Sequence, residues 1–138
     1  MTIMRKILAL IFATGCFIGM ISCSKNDKPG DWDDNIVLSA KSLEFDASAD
    51  SAIVTTKGTG WWITDISVNG ELTYYFDEYY TKINNYTIQL NCFKISRRGP
   101  NTIYLELNDN LSGAERKVTV GLEAGDYFDH VVITQKAE

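Results

Sequence analysis

The chain has 138 residues, 45% of them hydrophobic and 22% charged, with a formal net charge of −5. That length suits one compact domain. The negative balance excludes a nucleic-acid partner, whose capture rests on neutralising phosphates. Residues 1–6 carry Arg5 and Lys6 and no acid, and residues 7–22, "ILALIFATGCFIGMIS", are almost wholly apolar. The run is shorter than the roughly 18 to 20 apolar residues of a stable span. A positive start before a short apolar run reads as an export signal, whereas a buried core helix would need a polar face.

The end of that run, "MISC" at Met20–Cys23, resembles the lipobox of bacterial lipoproteins. Cys16 in "ATGC" competes, but it would leave only Ile7 to Phe12 as the apolar stretch and start the mature chain on "CFIGMI". Cys23 is therefore the expected lipidation site and membrane attachment. Residues 24–35, "SKNDKPGDWDDN", are too polar to bury a core and read as a tether. A lysine followed by acids just after the cysteine also resembles the surface-export signal of Bacteroidetes lipoproteins. The expected organisation is a signal over residues 1–22, a lipidated tether over 23–35 and a folded domain over 36–138. The expected location is the cell envelope, on the outer membrane and facing outward or inward. Removing 22 of 138 residues leaves 116, and losing Arg5 and Lys6 takes the charge from −5 to −7. Cys92 then stands alone, so no internal disulfide is expected. It alternates with Ile88 and Leu90 in "TIQLNCF" and reads as a small buried hydrophobe.

From Ile36 onward the pattern is short strands divided by turn residues. "IVLSA" and "SLEF" precede the polar break "DASAD", and "SAIVTT" follows. "KGTG" leads into the alternating "WWITDISV". Asn69-Gly70 is a strong hairpin signal, opening "ELTYYF". "YTIQLNCFKI" comes next, then a turn at "SRRGPN", then "TIYLELN" with Ile103, Leu105 and Leu107 on one side. "NDNLSGAE" turns into "RKVTVGLE", and "YFDHVVITQ" closes the chain with Phe128 and Val132 on one face. Strands at roughly ten-residue spacing in one domain predict an all-β sandwich or barrel.

The last third, "NDNLSGAERKVTVGLEAGDYFDHVVITQKA", is similar to the C-terminal half of BACON domains, a Bacteroidetes-associated module with a proposed carbohydrate-binding role. The matching features are Asn110 in the turn, Arg116 opening the next strand, and "ITQ" at Ile133 to Gln135. Upstream, "KSLEFDASADSAIVTTKGTGWW" matches the family's first strands and first tryptophan, and Phe93 takes the place of its usual second one. The resemblance implies an immunoglobulin-like antiparallel β-sandwich of seven to nine strands, an accessory module of glycan-using surface proteins.

No catalytic, cofactor or metal site is expected. His130 lies in an apolar strand, and Cys92 is about forty residues away, short of the three or four ligands a zinc site needs. A serine elbow of the G-x-S-x-G kind does not occur. "NDN" at 108–110 reads as a turn, and Arg97 and Arg98 as turn-borne surface charge, with a sugar acid or phosphate as their one functional alternative.

The remaining feature is "ELTYYFDEYYTKINNY", residues 71–86, which holds six of the sixteen aromatic rings. As a strand it puts Leu72, Tyr74 and Phe76 on one face and Tyr75 on the other. As a helix it stripes Leu72, Phe76, Tyr79, Tyr80 and Ile83. Its rings either cover an open end of the sandwich or present faces to pyranose C–H groups. Trp61 and Trp62, being adjacent in a strand, face opposite ways: one anchors the core and one is free for a surface. The candidate carbohydrate-binding residues are Trp61, Trp62, Tyr74, Tyr75, Tyr79, Tyr80 and Asn84. The expected partner is a glycan or an envelope protein; a spacer without a ligand is the alternative.

Overall fold

A computed structural model describes residues 32–75, 80 and 82–138, with Tyr75 described by its backbone only. Cys23, the expected lipidation site, and Phe76 and Tyr79, from the tyrosine-rich stretch, lie outside the described residues. Nine strands form among them: β1 (Ser42–Phe45), β2 (Asp50–Thr55), β3 (Trp62–Val68), β4 (Glu71–Tyr75), β5 (Asn85–Gln89), β6 (Phe93–Arg98), β7 (Thr102–Leu107), β8 (Arg116–Ala124) and β9 (Tyr127–Gln135). They make a five-stranded sheet ordered β1-β9-β8-β3-β4 and a four-stranded sheet ordered β2-β7-β6-β5. Among the described residues the domain is all-β, as the alternating pattern predicts.

Alternation builds the core. In β7, Ile103, Leu105 and Leu107 are buried while Thr102, Tyr104 and Glu106 are not. β8 and β9 send Val118, Val120, Leu122, Val131 and Ile133 inward, each essentially inaccessible. Burying one such side chain contributes about 1.5–3 kcal/mol, so the two inner faces hold the sheets together. The hairpin signal is realised directly: Asn69 and Gly70 have φ of 52° and 84°, the pair of left-handed residues a type I′ turn requires.

Several local expectations need correction. "IVLSA" forms only the single bridge Leu38 to Thr56. Asp34 Oδ1 accepts from the Ile36 and Val37 amides at 3.0 and 2.7 Å, and Val37 is left-handed with φ 50°, a conformation that ends a strand. These contacts draw Asp34, expected in the tether, into the compact unit, which starts at Trp32. "YTIQLNCFKI" is two strands, because residues 90–92 reverse the chain: the Leu90 amide donates to Phe93 O at 2.9 Å, and Gln89 Nε2 donates to Leu90 O at 2.9 Å. Cys92 consequently sits half-buried in a turn rather than in a strand. Lastly, the sandwich is not wholly antiparallel. β1 runs parallel to β9, with Ser42 opposite Val132 and Phe45 opposite Gln135. After β1 the chain crosses to the other sheet for β2, so no hairpin constrains β1's direction.

Candidate functional site

Polar residues of the domain divide into those whose hydrogen bonds are spent inside the chain and those that face outward. Asn110 is fully buried. Its Nδ2 donates to Ala114 O at 2.8 Å and Lys136 O at 3.0 Å, and its Oδ1 accepts from Ser112 Oγ at 2.7 Å. Arg116 Nη1 donates to Gln135 Oε1 at 2.8 Å and to Asn108 O at 3.1 Å. Buried Gln135 turns its amide to Ala47, Ser48 and Asn108 carbonyls. The three residues that carry the sequence resemblance thus clasp the 108–115 turn to β9 and the β1–β2 connection.

Trp61 belongs to the same class. It is 1% exposed, its Nε1 donates to Thr56 Oγ1 at 2.8 Å, and the Arg97 guanidinium lies 4.1 Å from its ring centroid. Trp61 is therefore a core anchor and cannot stack a sugar. Arg97, expected on the surface, is also buried. β6 extends through it, and an inward position at that register sends its guanidinium to the carbonyls of Trp61, Thr59 and Pro100. Burial pushes its pKa down.

The tyrosine-rich stretch turns its described rings toward the protein. Tyr74 and Tyr80 are half-buried and pack on the core cluster. Tyr80 sits against Tyr86, centroids 4.5 Å apart and tilted 31°, and the Tyr86 hydroxyl accepts from the Ile63 amide at 3.1 Å. Burial raises the Tyr86 pKa above the ordinary 10.0. A register shift between Ile66 and Ser67 leaves Thr73 unpaired in the β3–β4 ladder, so Leu72 does not share the inward face of Tyr74 and is 60% exposed. Asn84 is exposed. A concavity of about 560 Å³ lies between the β3–β4 and β5–β6 turns and is lined by Asn69, Glu71, Thr73, Gln89, Asn91 and Cys92 among others. Among the described residues, no aromatic ring lines it.

Aromatic surface gathers elsewhere, on the outward face of the five-stranded sheet. Trp62 pairs with Glu123, and Glu123 with Phe128. Cross-strand partners share a face, so the three form one row. Phe128 is 65% exposed, and Trp62 is half-buried. Two strand spacings put their backbones about 10 Å apart. Burial pushes the Glu123 carboxyl's pKa up, and the neighbouring Trp62 indole partly offsets that rise. In the next row His130 pairs with Gly121, and Gly121 with Asp65. A Cβ on Gly121 would lie 2.2 Å from Asp65 Oδ2; the missing side chain is what lets this carboxylate lie across the strand. Thr64 Oγ1 holds it at 2.9 Å. The register skips Thr64 between Ile63 and Asp65, and that bulge aims Asp65 outward. The result is two aromatic rings on either side of Glu123, with Asp65 in the adjoining row, on one face. Of these residues, sequence reasoning singles out Trp62 and not Phe128, Glu123 or Asp65. The alternation of "YFDHVVITQ" put Phe128 on a defined face without saying which sheet face was outward.

These observations define a two-sheet immunoglobulin-like β-sandwich. β2-β7-β6 and β9-β8-β3 reproduce the B-E-D and G-F-C strand orders of that fold. A scan against protein-family models found no match, and a search of curated proteins found none. Among solved structures, the chain is similar to an NMR structure of a protein from Bacteroides thetaiotaomicron, with TM-score 0.62 and 20% identity over 80% of this chain and 93% of that one. It is also similar to part of a GH5 xyloglucanase from Bacteroides ovatus in complex with a XXXG heptasaccharide, with TM-score 0.46 and 17% identity over 75% of this chain and 18% of that one. A third similarity is to the titin M3 domain, with TM-score 0.42 and 13% identity over 74% of this chain and 91% of that one. The first of these likenesses shows the fold.

Proposed function

We propose that this chain is a non-catalytic, lipid-anchored envelope protein whose sandwich binds glycan on the outward face of its five-stranded sheet. The observation that carries this reading is the row Trp62–Glu123–Phe128, continued by Asp65 over Gly121. Pyranose rings offer flat C–H faces to exposed aromatics and hydroxyls to carboxylate acceptors, and the row supplies both. Exposed aromatic surface on a small domain marks an interaction site. The resemblance to BACON modules, with their proposed carbohydrate role, supports the same reading, and the "MISC" motif supports attachment through Cys23. The site departs from the tyrosine-rich stretch, whose described rings pack inward.

A glycan array probed with the full chain and with Trp62→Ala/Phe128→Ala tests the binding. The parent is expected to bind a defined set of glycans and the folded double variant to lose them. Equal binding by both would remove the function from this face. Attachment is tested by fractionating cells that express Cys23→Ala, which should leave the membrane fraction. A second reading, a spacer without a ligand, is favoured by the inward packing of Tyr74 and Tyr80. It predicts no glycan binding by the parent.

A further inference from the structure

Arg97 and Arg98 are neighbours on β6 and point to opposite sides. Arg97 is spent on buried carbonyls. Arg98 points outward, over the four-stranded sheet, with its guanidinium carbon 3.7 Å from the Tyr104 ring centroid. Stacking fixes the plane of the guanidinium and leaves its edge, where the N–H groups lie, open. Among the described residues those N–H groups have no hydrogen-bond or ion-pair partner.

The side chains around it are also donors. Asn85 is the cross-strand partner of Arg98. Its Oδ1 accepts from the Gly99 amide at 2.9 Å, which orients its NH2 group away from that bond. In the next row, the hydroxyls of Thr87 and Ser96 lie 2.8 Å apart. One proton serves that bond, so the pair keeps a second to donate. Lys94 follows, held 2.7 Å from Glu106. Together with Arg98 these side chains line a concavity of about 450 Å³ over the β5–β6 pair.

A fixed guanidinium fork, an amide NH2 and a spare hydroxyl form a donor-rich pocket, at whose edge the Lys94 ammonium is already paired with Glu106. Such a set matches an oxyanion, since arginine pairs with carboxylate and sulfate-like groups through two parallel N–H bonds. We infer that this face takes the oxyanion of an acidic sugar unit, a carboxylate or a sulfate ester. The inference rests on the glycan reading for the carrier of the anion, and on the pocket alone for the anion itself. It places the acidic group on the sheet opposite the Trp62–Phe128 row, beside the Arg98 guanidinium, with the nearby Glu106 carboxylate neutralised by Lys94. A net charge of −5 gives no long-range attraction, so recognition is by contact, within the Debye length of about 8 Å at physiological salt.

The test is calorimetry and amide NMR on the full chain with tetragalacturonate, a sulfated tetrasaccharide, neutral cellotetraose and free sulfate. Arg98→Gln is the variant, and Lys117→Gln, an exposed cation on β8, the control. Expected is salt-sensitive binding of an acidic oligosaccharide, weakened about tenfold or more by Arg98→Gln and unchanged by Lys117→Gln. Equal affinity of parent and Arg98→Gln would overturn the inference. Binding of cellotetraose with no acidic oligosaccharide bound would overturn it too, leaving the glycan reading intact. Free sulfate shifting Asn85, Ser96 and Arg98 signals only in the parent, with no saccharide bound, would support the anion pocket and sink the glycan reading. No binding of any probe would sink both.

Discussion

The clasp at Asn110, Arg116 and Gln135 and the outward row at Trp62, Glu123 and Phe128 are both built from polar and large side chains, and they differ in where their interactions end. In the clasp, named donors meet carbonyls of the same chain, and Asn110 and Gln135 are fully buried. In the row, Phe128 presents its ring to water and carboxylates stand beside it. A polar group whose partners lie inside the chain holds the fold, and a surface with interactions to spare is where a ligand contributes.

Breaking the clasp should give the largest effect. Asn110→Ala removes a buried amide and leaves the Ala114 and Lys136 carbonyls without it. Unsatisfied buried groups cost about 1–3 kcal/mol each, so urea unfolding should show a loss of roughly 3 kcal/mol. Loss within 0.5 kcal/mol would mean water replaces the amide freely. Trp62→Ala/Phe128→Ala inverts the pattern, lowering glycan affinity at least about tenfold while the domain keeps its circular dichroism and cooperative melt.

Gly121→Ala sharpens the boundary between the two regions. Its new methyl meets the far end of Asp65, so the carboxylate should swing off the face at a cost of about 1 kcal/mol, with glycan affinity falling. Asp65→Ala in the same chain should restore the stability and not the affinity.

The smallest effect is in pH. The Tyr86 phenol is raised above 10.0 by burial. The folded state therefore holds that proton more tightly than the unfolded one, and this contribution is fully present below pH 10. It is lost as pH rises through the raised value. A thermal melt series above pH 10 should show a falling midpoint, with a shallower fall in Tyr86→Phe.

Much of the fold was legible in the sequence, because period-two alternation and Asn69-Gly70 are local signals. The parallel β1–β9 pairing was not, since it depends on where the chain crosses between sheets. The split of "YTIQLNCFKI" was hidden by an apolar alternation that runs from Tyr86 to Cys92, and its one mark is the change of phase between Cys92 and Phe93. At the site, adjacency of Trp61 and Trp62 showed that one faces in, and burial assigned Trp61 to the core. Arg97 and Arg98 read as one turn because Gly99-Pro100 follows them, yet β6 runs through both and separates them onto opposite faces. Glu123 and Asp65 carry no sequence mark at all. Their role comes from a bulge at Thr64 and a missing side chain at Gly121, two features visible only once the β3–β8 register is known.

The most direct test is an amide NMR titration of the full chain with the glycan that scores highest on the array. Shifts concentrated at Trp62, Asp65, Gly121, Glu123 and Phe128 are the predicted result. Shifts confined to residues 76–84, or no shifts with any glycan, would contradict the assignment of binding to the outward face of the five-stranded sheet.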